Sequence, residues 1–105
     1  MRTQAVRYWC VVTASNHVRC EVVFTGRVQG VGFRYTTFRV AEQFEVSGWV
    51  RNEPDGSVRC VAEGDAAELD RFIAAINRAM QHNISNTQTT RLPATGEFSG
   101  FDIRR

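Results

Sequence analysis

Apolar and polar residues alternate from Val18 to Phe24, which predicts a strand over Val18–Thr25 with Cys20, Val22 and Phe24 on one face. After Phe33 the period lengthens. Phe33, Thr37, Val40, Ala41 and Phe44 fall on one stripe, predicting an amphipathic helix over Phe33–Phe44. Two further strands, Val46–Arg51 and Ser57–Glu63, flank Pro54-Asp55-Gly56, whose residues suit a hairpin turn. Asp65 with Glu68 three residues on reads as a capping box for a second helix, which would bury Leu69, Phe72, Ile73, Ile76 and Met80. Gln81–Thr90 is rich in Asn, Gln and Thr. A fourth strand is expected there, although its local alternation is poor, and Phe98–Ile103 reads as a fifth.

The order β-α-β-β-α-β is that of the ferredoxin-like split βαβ sandwich, an α+β fold with one antiparallel sheet and two helices on one face. At 105 residues the chain has room for one core, assigned to residues 17–105 behind an N-terminal extension, 1–16. In the extension, Arg2 and the apolar stretch Tyr8–Ala14 look faintly like a signal peptide, but Arg7 abuts that stretch and no A-x-A site follows. A disordered tail, an added strand on the alternation of Val6, Tyr8, Cys10 and Val12, or a start assigned too far upstream all stay open.

Composition narrows the function. Hydrophobic residues make up 43% without any 18-residue apolar run, so a soluble, cytoplasmic protein is expected, away from membranes. A net charge of +2 is too small to demand a nucleic-acid partner. All 13 basic residues are Arg, which excludes a Schiff-base or nucleophilic lysine. Three cysteines form no disulfide framework and no C-x-x-C. Cys20, and Cys60 beside Val58 and Ala62, read as small core residues; Cys10 lies in the extension. No metal site and no cofactor are expected.

The candidate chemistry lies between the first strand and the first helix, in Gly26-Arg27-Val28-Gln29-Gly30-Val31-Gly32-Phe33-Arg34. Closely spaced glycines let a backbone take positive φ and turn its N–H groups inward. The helix that follows aims its unpaired N–H groups and the positive end of its dipole at the same place. Arg34 adds a planar fork that can hold two phosphate oxygens at once. The stretch is neither a Walker A loop nor a G-x-G-x-x-G fingerprint. It reads as a phosphate cradle, or else as a plain tight turn.

A second motif, Gly48-Trp49-Val50-Arg51-Asn52, closes the second strand. The two motifs in this order resemble the acylphosphatase family, and the resemblance runs from about Val18 to Ile103, through Gly96-Glu97-Phe98-Ser99-Gly100-Phe101-Asp102-Ile103. It implies hydrolysis of an acyl phosphate to carboxylate and phosphate. Arg34 and Asn52 would be the catalytic residues and Gly26 to Arg34 the phosphate-binding loop. A monomer is expected, with a small-molecule acyl phosphate as substrate and phosphate as product and competitive inhibitor. Two departures stand out. Gln81–Thr90 lacks the proline and apolar pattern expected before the fourth strand, and Glu53 sets a negative charge beside Asn52, to burden an anionic substrate or to face solvent.

The residue inventory agrees with such a reaction. Near the motifs there is no His, no Cys and no carboxylate pair, and His17 and His82 read as surface residues. A carboxylate leaving group, whose conjugate acid has a pKa of about 4, needs no general acid. It needs charge stabilisation on the phosphoryl oxygens and a water placed in line. Arg34 and the cradle supply the first; the Asn52 amide, donor and acceptor at once, suits the second. On their own, Asn52 could merely start the turn, Arg34 could be a surface residue and Trp49 could be packing. The competing readings are a binding module, either a catalytically idle acylphosphatase-like domain or an RNA-binding ferredoxin-like fold, and a domain of a larger carbamoyl-phosphate enzyme. RNA binders of this fold stack bases on aromatic side chains of the middle strands, and the third strand here offers none.

Overall fold

Seven elements follow one another in the computed structural model, which describes residues 16–105: β1 His17–Gly26, α1 Phe33–Ala41, β2 Val46–Asn52, β3 Val58–Asp65, α2 Ala66–Ala79, β4 Ile84–Pro93 and β5 Phe101–Arg104. The expectations about Tyr8–Ala14 and Cys10 lie outside the described residues.

The five strands form one sheet in the order β4-β1-β3-β2-β5. Cys20, Val22 and Phe24 of β1, Val50 of β2 and Val58, Cys60 and Ala62 of β3 turn one sheet face to the helices. The helices answer with Phe33 and Ala41 from α1 and Leu69, Phe72 and Ile76 from α2. The expected split βαβ plan and its helical stripes are present. Cys20 and Cys60 are buried, and burial pushes their thiols up from the ordinary value, which keeps them protonated and unreactive.

One pairing corrects the expectation of a wholly antiparallel sheet. β5 lies parallel to β2, with Gly48 opposite Phe101 and Val50 opposite Ile103. The other four strands pair antiparallel, so β4 runs opposite to β2. The chain reverses after β4 and returns on the far edge, where the only direction left to it is that of β2. Residues between Pro93 and Phe101 make this crossing. They are held by the buried carboxylate of Glu63, which accepts from the amides of Thr95 and Gly96 at 2.9 Å each and from the Thr95 hydroxyl at 2.8 Å. Arg19 lies 3.4 Å from the same carboxylate and beneath the Phe98 ring, at 5.0 Å, so Phe98 belongs to the crossing rather than to the strand.

Two boundaries and one cap also differ from expectation. α1 ends at Ala41 instead of Phe44 because its last turn tightens, with Gln43 N bonding to Val40 O and Phe44 N to Ala41 O. The Phe44 ring still packs, 6.1 Å from that of Phe72. The capping box is half made: the Asp65 carboxylate accepts from Ala67 N at 3.2 Å, but Glu68 turns away to accept from Glu45 N at 2.9 Å. β4 begins at Ile84, three residues after the expected start, and runs to Pro93. It is an edge strand whose exposed side chains are mostly polar, so apolar alternation could not announce it.

Candidate active site

The sheet register explains how two motifs separated in sequence come to share a site. Val58 of β3 pairs with Phe24 of β1 on one side and with Asn52 of β2 on the other. Strands lie ~4.8 Å apart, so the end of β1 stands about two strand spacings from Asn52. The loop that leaves β1 then arches over the end of β3 and meets the β2–β3 hairpin.

Three anchors fix that loop. Gly26 lies so close to the start of β4 that a Cβ there would clash with Asn83 O, and the Arg27 amide donates to the same carbonyl at 2.9 Å. Val28 is buried in the core. The Gln29 side-chain amide donates to the carbonyls of Glu53 and Ser57, at 2.8 Å each, and so ties the loop to the hairpin. The hairpin is itself closed by Asp55, which accepts from the Ser57 amide at 2.9 Å and hydroxyl at 2.6 Å. These bonds hold the Asp55 carboxyl below its ordinary value.

Gly32 then starts α1 in the left-handed region, φ 77° and ψ 21°, with open space where a Cβ would stand. Its requirement is therefore one of backbone hand, not of room. No side chain caps this helix, whereas Asp65 caps α2. The first intrahelical bond is Thr36 N to Gly32 O, so the amides of Phe33, Arg34 and Tyr35 precede the hydrogen-bonded ladder. An uncapped helix start carries about half a positive charge and favours an anion.

A cavity of about 210 Å³ opens at this helix start. Gly30, Gly32, Arg34 and Asn52 all line it, with Val28 and Phe33 as buried apolar walls. Of the remaining loop residues expected to bind phosphate, Gly26, Arg27, Gln29 and Val31 are not in its lining. Arg27 is exposed, and the side-chain N–H groups of Gln29 are spent on the hairpin. Arg34 Nη1 donates to the Arg104 carbonyl at 3.0 Å, which steadies the guanidinium from β5. The Glu53 charge is met by Arg51, Nε to carboxylate 2.9 Å. Trp49 is buried on the sheet face away from the helices, with the guanidinium groups of Arg51 and Arg104 each 4.8 Å from its ring, and is a packing residue. His17 and His82 are exposed.

Two lining residues, Tyr35 and Ile103, were not singled out from the sequence. Tyr35 carried a signal, since it follows Arg34 in the first turn of the helix. Ile103 carried none, because only the parallel pairing of β5 with β2 brings it here. Among the described residues no group of three or more His, Cys, Asp and Glu side chains could hold a metal ion, and no helix is long and apolar enough to cross a membrane.

An uncapped helix, a glycine-rich arch, an arginine and an asparagine meet around one small cavity in an α+β domain of the split βαβ type. Residues 20–103 match the family model described as Acylphosphatase. The chain belongs to the acylphosphatase family, whose reaction is the hydrolysis of an acyl phosphate to carboxylate and phosphate. It is 43% identical to an acylphosphatase of Salinibacter ruber over 88 residues, which cover 83% of this chain and 93% of that one. The crystal structure of acylphosphatase from Bacillus subtilis superposes with a TM-score of 0.75 at 29% identity, covering 84% of this chain and 99% of that chain. Full-length HypF in its phosphate- and nucleotide-bound form is similar over 85% of this chain but only 12% of its own length, with TM-score 0.71 and 25% identity.

Proposed function

We propose that the catalytic work of this hydrolase is divided between Arg34, which holds the phosphoryl group, and Asn52, which guides the attacking water. The observation that carries this reading is that Arg34, Asn52, Gly30 and Gly32 line one cavity at an uncapped helix start. The loop amides and the Arg34 fork take the phosphoryl oxygens, where negative charge is spread in the transition state. The Asn52 amide, donor and acceptor at once, orients a water and aims its oxygen at phosphorus, in line with the departing carboxylate oxygen. A neutral amide is not a strong base, so the water's proton passes to a phosphoryl oxygen of the substrate. The P–O bond to the carboxylate breaks as the bond to water forms, and inorganic phosphate remains in the cradle, where it inhibits competitively.

The fixed cation and helix dipole supply the charge that a metal supplies elsewhere, so turnover is metal-independent. Residues 17–105 make up the working domain, a cytoplasmic monomer that needs neither nucleic acid nor membrane. Hydrolysis of benzoyl phosphate by the purified protein in excess EDTA tests the reading. Turnover that persists supports it, and turnover abolished by EDTA and restored by a divalent cation overturns the metal-free division of labour.

A further inference from the structure

Four large apolar side chains are exposed among the described residues: Val31, Tyr35, Leu92 and Ile103. Two of them belong to the cavity and a third is its neighbour in sequence. Tyr35 and Ile103 line it directly, and Val31 stands between Gly30 and Gly32, which also line it. The buried walls Val28 and Phe33 lie among the same lining residues, but they are covered and have nothing to offer a ligand. Tyr35 and Ile103 are 58% and 41% exposed and can still gain from being covered.

The Tyr35 ring is held in place. Its hydroxyl accepts from Arg39 Nη1 at 3.1 Å one helical turn on, and Arg39 is in turn engaged by Glu42 at 3.0 Å. Ile103 is fixed by the pairing of β5 with Val50. A phosphoryl group has no use for an apolar rim. The part of the substrate attached to it is the acyl group, and Tyr35 and Ile103 are the exposed apolar side chains of the lining that it can cover.

We infer that Tyr35 and Ile103 form the acyl-binding rim of the site and bias the enzyme toward acyl phosphates with an aromatic or branched apolar acyl group over acetyl phosphate. This rests on the proposed placement of the phosphoryl group at Arg34. The rim covers the apolar acyl group in the bound substrate, so its contribution appears mainly in KM, while the chemical step stays with Arg34 and Asn52. Apolar contacts of this kind discriminate by roughly tenfold or more.

The experiment compares benzoyl phosphate with acetyl phosphate in the wild type, Tyr35→Ala, Tyr35→Phe and Ile103→Ala, scoring the ratio of kcat/KM for the two substrates. Intrinsic reactivity cancels when the ratio of a variant is divided by that of the wild type. Tyr35→Ala is expected to lower the ratio about tenfold, chiefly through a raised KM for benzoyl phosphate, with a distinctly smaller loss on acetyl phosphate. Tyr35→Phe, which keeps the ring and loses the Arg39 bond, is expected to keep the ratio. Ile103→Ala is expected to lower it by a smaller factor. An unchanged ratio in Tyr35→Ala and Ile103→Ala, with acetyl phosphate still hydrolysed, overturns the rim and leaves the roles of Arg34 and Asn52 standing. Equal loss on both substrates overturns it as well, by assigning Tyr35 to the shared phosphoryl group. A phosphate inhibition constant unmoved by Arg34→Ala would remove the placement on which the rim depends.

Discussion

Gln29 Nε2 lies 2.8 Å from the carbonyl oxygen of Glu53, the residue that directly follows Asn52. The same amide reaches the Ser57 carbonyl at 2.8 Å, so one side chain of the glycine arch clamps both ends of the β2–β3 turn. The separation between the arch and Asn52 is therefore fixed by a bond, not only by the sheet beneath.

Gln29→Ala should loosen that spacing. Two neutral hydrogen bonds of about 1 kcal/mol each correspond to roughly a tenfold to thirtyfold loss if both act on the aligned state. The fall should appear in kcat more than in the inhibition constant of phosphate, because the arch itself remains. Gln29→Glu should be worse than Gln29→Ala, since a carboxylate would face two carbonyl oxygens. Steady-state constants for both variants check this, and a Glu variant equal to wild type would mean that the clamp has no part in turnover.

Arg34→Ala should lose most phosphate affinity and most turnover while remaining folded, because the side chain is only half-buried and lies outside the packed cluster. Lysine should rescue in part, since it keeps the charge without the planar fork. Competitive inhibition by phosphate, measured beside kcat, reads both effects. Wild-type behaviour from Arg34→Lys would rule out two-oxygen recognition.

Removing Asn52 should separate positioning from binding. Asn52→Ala is expected to lower kcat by roughly 10²–10³-fold, about 3–4 kcal/mol, as the loss of one preorganised donor does. Phosphate inhibition should stay nearly unchanged. Asn52→Asp should fail too, since it cannot donate and would repel an anionic substrate. The reverse pattern, normal kcat with weak phosphate binding, would assign Asn52 to the cradle.

Glu63 should govern part of the acid limb of stability. Burial alone would push its carboxyl up, but the Thr95 and Gly96 amides, the Thr95 hydroxyl and the Arg19 guanidinium outweigh burial and hold it below the ordinary value of 4.5. A carboxylate with a lowered folded pKa binds fewer protons folded than unfolded. Its stabilisation is complete above about pH 4.5 and drains away as pH falls through the lower, folded value. Glu63→Gln should cost about 2–3 kcal/mol at neutral pH by weakening charge-assisted bonds, and less in acid. Denaturant melts from pH 3 to pH 7 check this. A constant difference between the two proteins over that range would remove Glu63 from the acid response.

By itself the sequence determined every element whose apolar positions face a core. β1, β2, β3 and both helices have a sheet face or helical stripe to bury, and burial imposes a period that can be read one residue at a time. Arg34 and the glycine arch were legible for a related reason, because positive φ and a helix start restrict which residues can stand there. The site's walls were another matter. β4 is an edge strand with polar exposed faces, so nothing in its composition reports its pairing with β1. The parallel β5 follows from the chain crossing to the far edge after β4, and that crossing hangs on Glu63, a carboxylate that looks in sequence like any surface residue. Only through it do Ile103 and the Arg104 carbonyl arrive beside Arg34. Local propensity acts between near neighbours in sequence. The meeting of Arg34 with Asn52 depends on Val58 standing in register between β1 and β2, a long-range pairing that exists only once the sheet has closed.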